Sequence, residues 1–174
     1  MEYVSHYGSP LGGITLESDG EALTGLWFDD RKRFTDTPGD ARKKADLPVF
    51  RQTKKWHDLY FAGKEPAFTP PLKTETTPFR RAVWEILLTI PYGKTATYGE
   101  IAKQIARQKG IKRMSSQAVG GAVGHNPIAL IIPCHRVVGR NEDLVGYGGG
   151  IDRKAKLLAL EKHDDPGRPG FEEV

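Results

Sequence analysis

Residues 97–124 run TYGEIAKQIARQKGIKRMSSQAVGGAVG, and the order of signals in this stretch specifies two helices joined by a bend. Thr97 and Glu100 stand three apart, just ahead of Ile101, Ala102 and Ile105. That spacing lets the threonine hydroxyl accept the amide of residue 100 while the glutamate reaches back to the amide of residue 97. The result is a capping box that starts a helix. Gly110 interrupts the helix, because glycine adopts a left-handed backbone at little cost. Ser115 or Ser116 then caps a second helix from Gln117 to about Gly124. A helix, a break and a short capped helix follow the grammar of a helix-turn-helix, here with a longer connection than usual.

The second of these helices is poor in side chains. It holds Gly120 and Gly121 in its interior, and an interior glycine costs about 1 kcal/mol against alanine. Something must approach the backbone closely to offset that cost. Two readings are open: tight packing against a neighbouring helix, or entry into a groove of DNA. A helix with ordinary side chains is about 10–12 Å across, whereas the minor groove is about 6 Å wide. A helix stripped to Gly and Ala intrudes there better than an ordinary recognition helix.

Upstream, Thr77 caps and Pro78 suits the first turn of a helix whose Phe79, Val83, Ile86, Leu87 and Ile90 share one face. Pro91-Tyr92-Gly93 stops it. The prolines at 66, 70 and 71 lie in a stretch without periodicity, so the chain divides there. Residues 1–70 form a first domain, 71–77 a linker, 78–164 a second domain and 165–174 a loose tail. In the first domain Ile14 and Leu16 alternate over 13–17, residues 22–28 are apolar, and Ser18-Asp19-Gly20 between them suits a hairpin turn. Residues 29–46 are charged and read as loop. Phe50, Trp56, Leu59 and Tyr60 mark a helical face over 47–61, ended by Gly63. Further along, Leu130, Ile131 and Ile132 read as a short buried strand, 139–150 as a mobile wing, and Asp152 as the start of a last helix carrying Leu157, Leu158 and Leu160.

The composition is that of an ordinary globular protein, with 38% hydrophobic and 28% charged residues. No apolar run approaches the roughly 20 residues of a membrane helix. The N-terminus lacks a basic lead and an apolar core, so the expectation is a cytoplasmic protein with no membrane partner. The net charge of +4 belongs to the second half. Residues 1–80 hold 12 basic and 12 acidic side chains, and residues 81–174 hold 14 and 10. Between 101 and 141 stand Lys103, Arg107, Lys109, Lys112, Arg113, Arg136 and Arg140, with no Asp or Glu. Such a field suits a polyanion such as DNA, or is a solvated basic face.

The one cysteine, Cys134, follows the apolar run in Pro133-Cys134-His135-Arg136. It cannot form an internal disulfide, and the five scattered histidines show no paired spacing for a metal. A thiol attacks as thiolate, so it needs a base or positive surroundings, and His135 and Arg136 offer both. Adjacent residues of an extended chain point opposite ways. For His135 to activate Cys134, a turn or a bridging water must connect them. On this pair alone, a structural cysteine and a nucleophile both remain open.

The wider context is decisive. Asn126-Pro127, Pro133-Cys134-His135-Arg136-Val137-Val138, Gly146-Tyr147 and Gly149-Gly150 closely resemble the methylated-DNA–protein-cysteine methyltransferases. So do Pro91-Tyr92-Gly93, Tyr98-Gly99-Glu100-Ile101-Ala102 and Ala118-Val119-Gly120-Gly121-Ala122, and more loosely Tyr60-Phe61-Ala62-Gly63. The resemblance covers the second domain in order. It implies an α/β protein with a small ribonuclease-H-like N-terminal α/β domain and a mainly helical, winged-helix-like C-terminal domain.

It also implies roles. Cys134 accepts an alkyl group from O6-alkylguanine or O4-alkylthymine in duplex DNA, His135 deprotonates it through a water, and Glu161 orients His135. Asn126 supports the site, Tyr98 rotates the nucleotide and protonates the leaving base, and Tyr147 lines the base pocket. Gln117, Ser116, Ala118, Gly120, Gly121, Arg136, Val137, Gly148, Arg140 and Arg113 complete the expected DNA and substrate face. No cofactor or metal is expected: there is no phosphate-binding glycine loop, and the zinc-binding cysteines of some relatives are missing. A monomer is expected. Many relatives carry arginine where this chain has Gln117, which implies weaker holding of the duplex or help from Arg113. Several residues within 107–114 look like an insertion relative to shorter members, and Gly148 and Ala129 vary in such proteins. The rivals are a binder that flags alkylated DNA without repairing it, and a Cys-His hydrolase on another fold.

Overall fold

The computed structural model describes residues 2–31, 42–142, 144 and 150–162; Tyr147, Gly148 and the tail beyond residue 162 lie outside them. The fold is mixed α/β. Its first part is a sheet of β1 (Glu2–Ser9), β2 (Gly12–Ser18), β3 (Leu23–Phe28) and β4 (Arg42–Lys44), in the order β3-β2-β1-β4. The expected β2–β3 hairpin is present, with Ile14 opposite Phe28 and Leu16 opposite Leu26. Its turn is held by Asp19, whose carboxylate accepts the amides of Glu21 and Ala22. β1 pairs antiparallel with β2 along its whole length, from Tyr3 opposite Ser18 to Ser9 opposite Gly12. Its residues alternate without a clean apolar face, which hides it from a hydrophobic pattern. β4, expected as loop, adds a short parallel edge to β1 at Glu2–Val4.

Helix α1 (Pro48–Phe61) packs on this sheet with Val49, Phe50, Trp56 and Tyr60 buried, and α2 (Pro78–Leu87) opens the second part. Thr77 Oγ1 accepts the Arg80 amide as its cap. The two-residue strand β5 (Ala96–Thr97) leads directly into α3 (Tyr98–Lys109), whose capping box is complete. Gly110 ends α3 in the left-handed conformation, φ 67°. Ser115 caps α4 (Ser116–Gly124) by accepting the amides of Gln117 and Ala118. Val119, Ala122 and Val123 turn inward against α2 and α3, and the Trp84 indole donates to the Ala122 carbonyl in the last turn of α4. A 3-10 turn (Cys134–Arg136), β6 (Val137–Val138), a second such turn (Arg140–Glu142) and α5 (Ile151–Lys162) follow.

The run Leu130–Ile132 is buried but is no strand. Leu130 takes φ 69°, Ile131 bonds back to Ala129, and Ile132 donates to the Ile128 carbonyl, so the segment is a compact loop. Apolarity reported burial correctly; with no alternation it could not report conformation. Asn126 staples this loop, its Nδ2 donating to the Ile132 carbonyl and its Oδ1 accepting the Ile128 amide. The loop also zips onto the sheet edge through Leu26 N–H to Pro127 O and Ala129 N–H to Leu26 O. Residues 71–73 pair with Leu23 on the same strand, so one apolar core runs through both parts. Among the described residues no helix is long and apolar enough to cross a membrane.

Candidate active site

The Cys134–Arg136 segment turns rather than extends. In a 3-10 turn successive side chains fan out about 120° apart, so the opposed geometry of a strand does not arise. β5 and β6 pair in parallel, Ala96 with Val137 and Thr97 with Val138. This two-stranded ribbon fixes the turn beside Tyr98, the first residue of α3. Tyr98 and Cys134 lie close enough that the thiolate charge raises the phenol pKa, after burial, which is the larger cause.

Glu161, fully buried on α5, organises the site. Its Oε2 accepts from His135 Nε2 at 2.5 Å and from the Tyr60 hydroxyl at 2.6 Å. Its Oε1 accepts from Arg136 Nε at 2.8 Å and from the Gly93 amide at 3.0 Å. Burial pushes this carboxyl up, yet the hydrogen bond of His135 and the charge that ring gains in acid, the Arg136 charge and the Tyr60 hydroxyl outweigh it and bring the pKa down to about 2. With four donors on two oxygens, Glu161 is a carboxylate with no room for a proton. His135 must therefore carry its hydrogen on Nε2. Burial lowers the His135 pKa, and Arg136 and Lys154 add to the effect against Glu161. The ring is neutral near pH 7, with the Nδ1 lone pair as its basic end.

Cys134 is 7% exposed. Burial raises its thiol to about 11, against the Asn126 hydrogen bond, the Lys154 charge and the amides of Cys134 and His135. Desolvation thus exceeds the positive surroundings, and the group rests as a thiol next to the His135 ring. The expectation for Arg136 is corrected. Its side chain is 11% exposed, and it bonds Glu161 and, through Nη1, the Ile90 carbonyl at 2.8 Å. Val137 is fully buried. Neither side chain stands on the exposed basic face. The cation that acts on the thiol is Lys154, fully buried on α5 and missed in the sequence. The signal was present, because Lys154, Leu157 and Glu161 share one helical stripe. Gly93 and Tyr60 were also missed as partners of Glu161. The Pro91-Tyr92-Gly93 helix stop swings an amide inward, with Gly93 at φ 78°.

On α4, Ser116, Gln117, Ala118 and Gly121 are exposed. A β-carbon at Gly121 would meet nothing within 4 Å, and one at Gly120 would meet only the Tyr98 ring, at 3.8 Å. Packing among the described residues therefore does not account for the two glycines. Lys103, Arg107, Lys109, Lys112, Arg113 and Arg140 are exposed, unlike Arg136.

A turn that carries a cysteine and a neutral imidazole, with a carboxylate pinned behind the ring, is an arrangement able to serve a nucleophilic thiol. Residues 3–74 match the family described as 6-O-methylguanine DNA methyltransferase, ribonuclease-like domain, and residues 78–163 match the same family's DNA binding domain. The chain is 42% identical to the methylated-DNA–protein-cysteine methyltransferase of Haemophilus influenzae over 92% of its length and 86% of the relative's. With the enzyme of that name from Mycobacterium tuberculosis it shares 44% over 91% of each chain. The crystal structure of Mycobacterium tuberculosis OGT in complex with DNA superimposes with a TM-score of 0.80 at 42% identity, covering 95% of this chain and 96% of that one. The chain belongs to the methylated-DNA–protein-cysteine methyltransferase family.

Proposed function

We propose that the protein repairs DNA by transferring the alkyl group of O6-alkylguanine, and of O4-alkylthymine, irreversibly to Cys134. The observation that carries this is the Cys134–His135–Glu161 arrangement beside an α4 face bare of bulky side chains. The O-alkyl carbon is out of reach in a stacked duplex, so the base is flipped toward the thiol. The exposed residues of α4 enter the groove, and Gln117 fills the place of the extruded base. Arg113 and Arg140 hold phosphates, while Tyr147 and Gly148 shape the base pocket. His135 takes the Cys134 proton through a water as the sulfur bonds the alkyl carbon and the carbon–oxygen bond breaks. Tyr98 gives its proton to the departing base and regains one from the imidazolium. Asn126 holds the sulfur and the loop behind it.

The thioether product offers water no easy route to hydrolysis, so each chain acts once. One chain supplies acceptor, base and carboxylate, so a monomer suffices for the reaction. A binder that only flags damage needs neither the acceptor nor its base. The test is a titration of the protein with methylated duplex. Repair should stop at one base per chain, and Cys134→Ala should bind the duplex and repair none. Continued turnover, or repair by that variant, overturns the reading.

A further inference from the structure

Tyr60 reaches the site from the first half of the chain. Tyr60, on α1, is fully buried and lies 101 residues from Glu161. Its hydroxyl donates to Glu161 Oε2 at 2.6 Å and lies 3.3 Å from His135 Nε2. Its ring is stacked on Trp56, centroids 5.0 Å apart and planes 7° from parallel, and stands edge-on to Tyr92 and His135. The ring is thus held by aromatic packing, and the hydroxyl is held at the one oxygen that also receives the imidazole.

We propose that Tyr60 is a positioning residue that sets the basicity of His135 by sharing the charge of Glu161. This rests on the alkyl-transfer reading for its catalytic meaning, but its effect on the imidazole does not. Facing His135 are Tyr60 from α1, its chain neighbours Cys134 and Arg136 in the turn, and Lys154 and Glu161 on α5. Only Glu161 among them is an anion at rest. Each donor on Glu161 draws off some of the attraction it offers an imidazolium. With Tyr60 present, that attraction is divided four ways, and the ring more readily stays neutral and able to take the thiol proton. Without the hydroxyl, Oε2 turns wholly to the Nε2 proton and the charged ring becomes easier to form.

The experiment is Tyr60→Phe in the full chain, which keeps the stacked ring, beside Trp56→Phe, which weakens the packing and leaves the hydroxyl. Two readouts are taken against pH: the His135 imidazole signals by NMR, and the single-turnover rate of methyl transfer from duplex to Cys134. In Tyr60→Phe the His135 titration should move up by about one pH unit, and the acid limb of the rate should move with it, a roughly tenfold loss on that limb. Trp56→Phe should lower the melting temperature and leave both profiles in place. An unmoved His135 titration in Tyr60→Phe, or an equal shift in both variants, overturns the proposal. If the titration moves while the unaltered protein transfers no methyl group, the positioning stands and the alkyl-transfer reading falls.

Discussion

Replacing Glu161 with glutamine keeps the volume of the side chain and removes the charge on which four donors converge. The amide can accept at one end only, so its NH2 group confronts two of those donors and the Arg136 guanidinium is left buried without its anion. The carboxyl titrates at about 2 in the folded protein against an ordinary 4.5. At 1.36 kcal/mol per unit, that difference stabilises the native state by about 3 kcal/mol. The sign follows from the lowered pKa. The contribution is whole above pH 4.5 and is lost as pH falls toward 2. Glu161→Gln should therefore be less stable by about 3–5 kcal/mol near pH 7, the range for breaking one side of a buried ion pair. Urea unfolding at several pH values reads this directly. The gap between the two proteins should close as the pH drops from 4.5 toward 2. Transfer should fall by about a hundredfold or more, because the amide no longer fixes the His135 proton on Nε2 and the base is lost with it. Parallel unfolding curves across that acid range would refute the reasoning, because they would mean that Glu161 is not held as an anion by folding.

Other expectations follow from the same site. His135→Ala should lose about a hundredfold or more in transfer rate at pH 7, and recover steeply as the pH approaches 11, where the thiol ionises unaided; a rate flat with pH in stopped-flow transfer assays would contradict this. Lys154→Met keeps the buried chain and removes the cation that lowers the Cys134 pKa, so the transfer rate near neutrality should fall about tenfold, the effect of about one unit in thiol pKa. An unchanged rate would remove Lys154 from the site. Gln117→Arg adds a charge to the exposed first turn of α4, and should tighten duplex binding and steepen its salt dependence by about one counterion; fluorescence anisotropy across a salt series measures both.

Much of this was legible in the chain because the signals were local. The Thr97–Glu100 box, the Ser115 cap and the Gly110 stop each declare a helix end within four residues, and all three hold in the structure. The Cys134–His135 pair stood out by itself, its role and Glu161 were reached through the resemblance, and the folded chain brings His135 and Glu161 into contact. What stayed hidden depends on distance along the chain or on dielectric. Tyr60 reads as one more aromatic of a buried face until α1 is docked against α5. β1 lacks an apolar period and is defined by its partner β2. The resting state of Cys134 is a balance between burial and the Lys154 charge, and no spacing reports how far water is excluded. Arg136 looked like part of a basic surface because sequence shows charge but not the side on which it lies.

The central claim is that the alkyl group ends on the one sulfur of this chain. Incubating the protein with methylated duplex, digesting it and weighing the peptides tests this most directly. A single added methyl on the peptide containing Cys134, with the duplex restored, is the predicted result. A restored duplex with that peptide unmodified would contradict it.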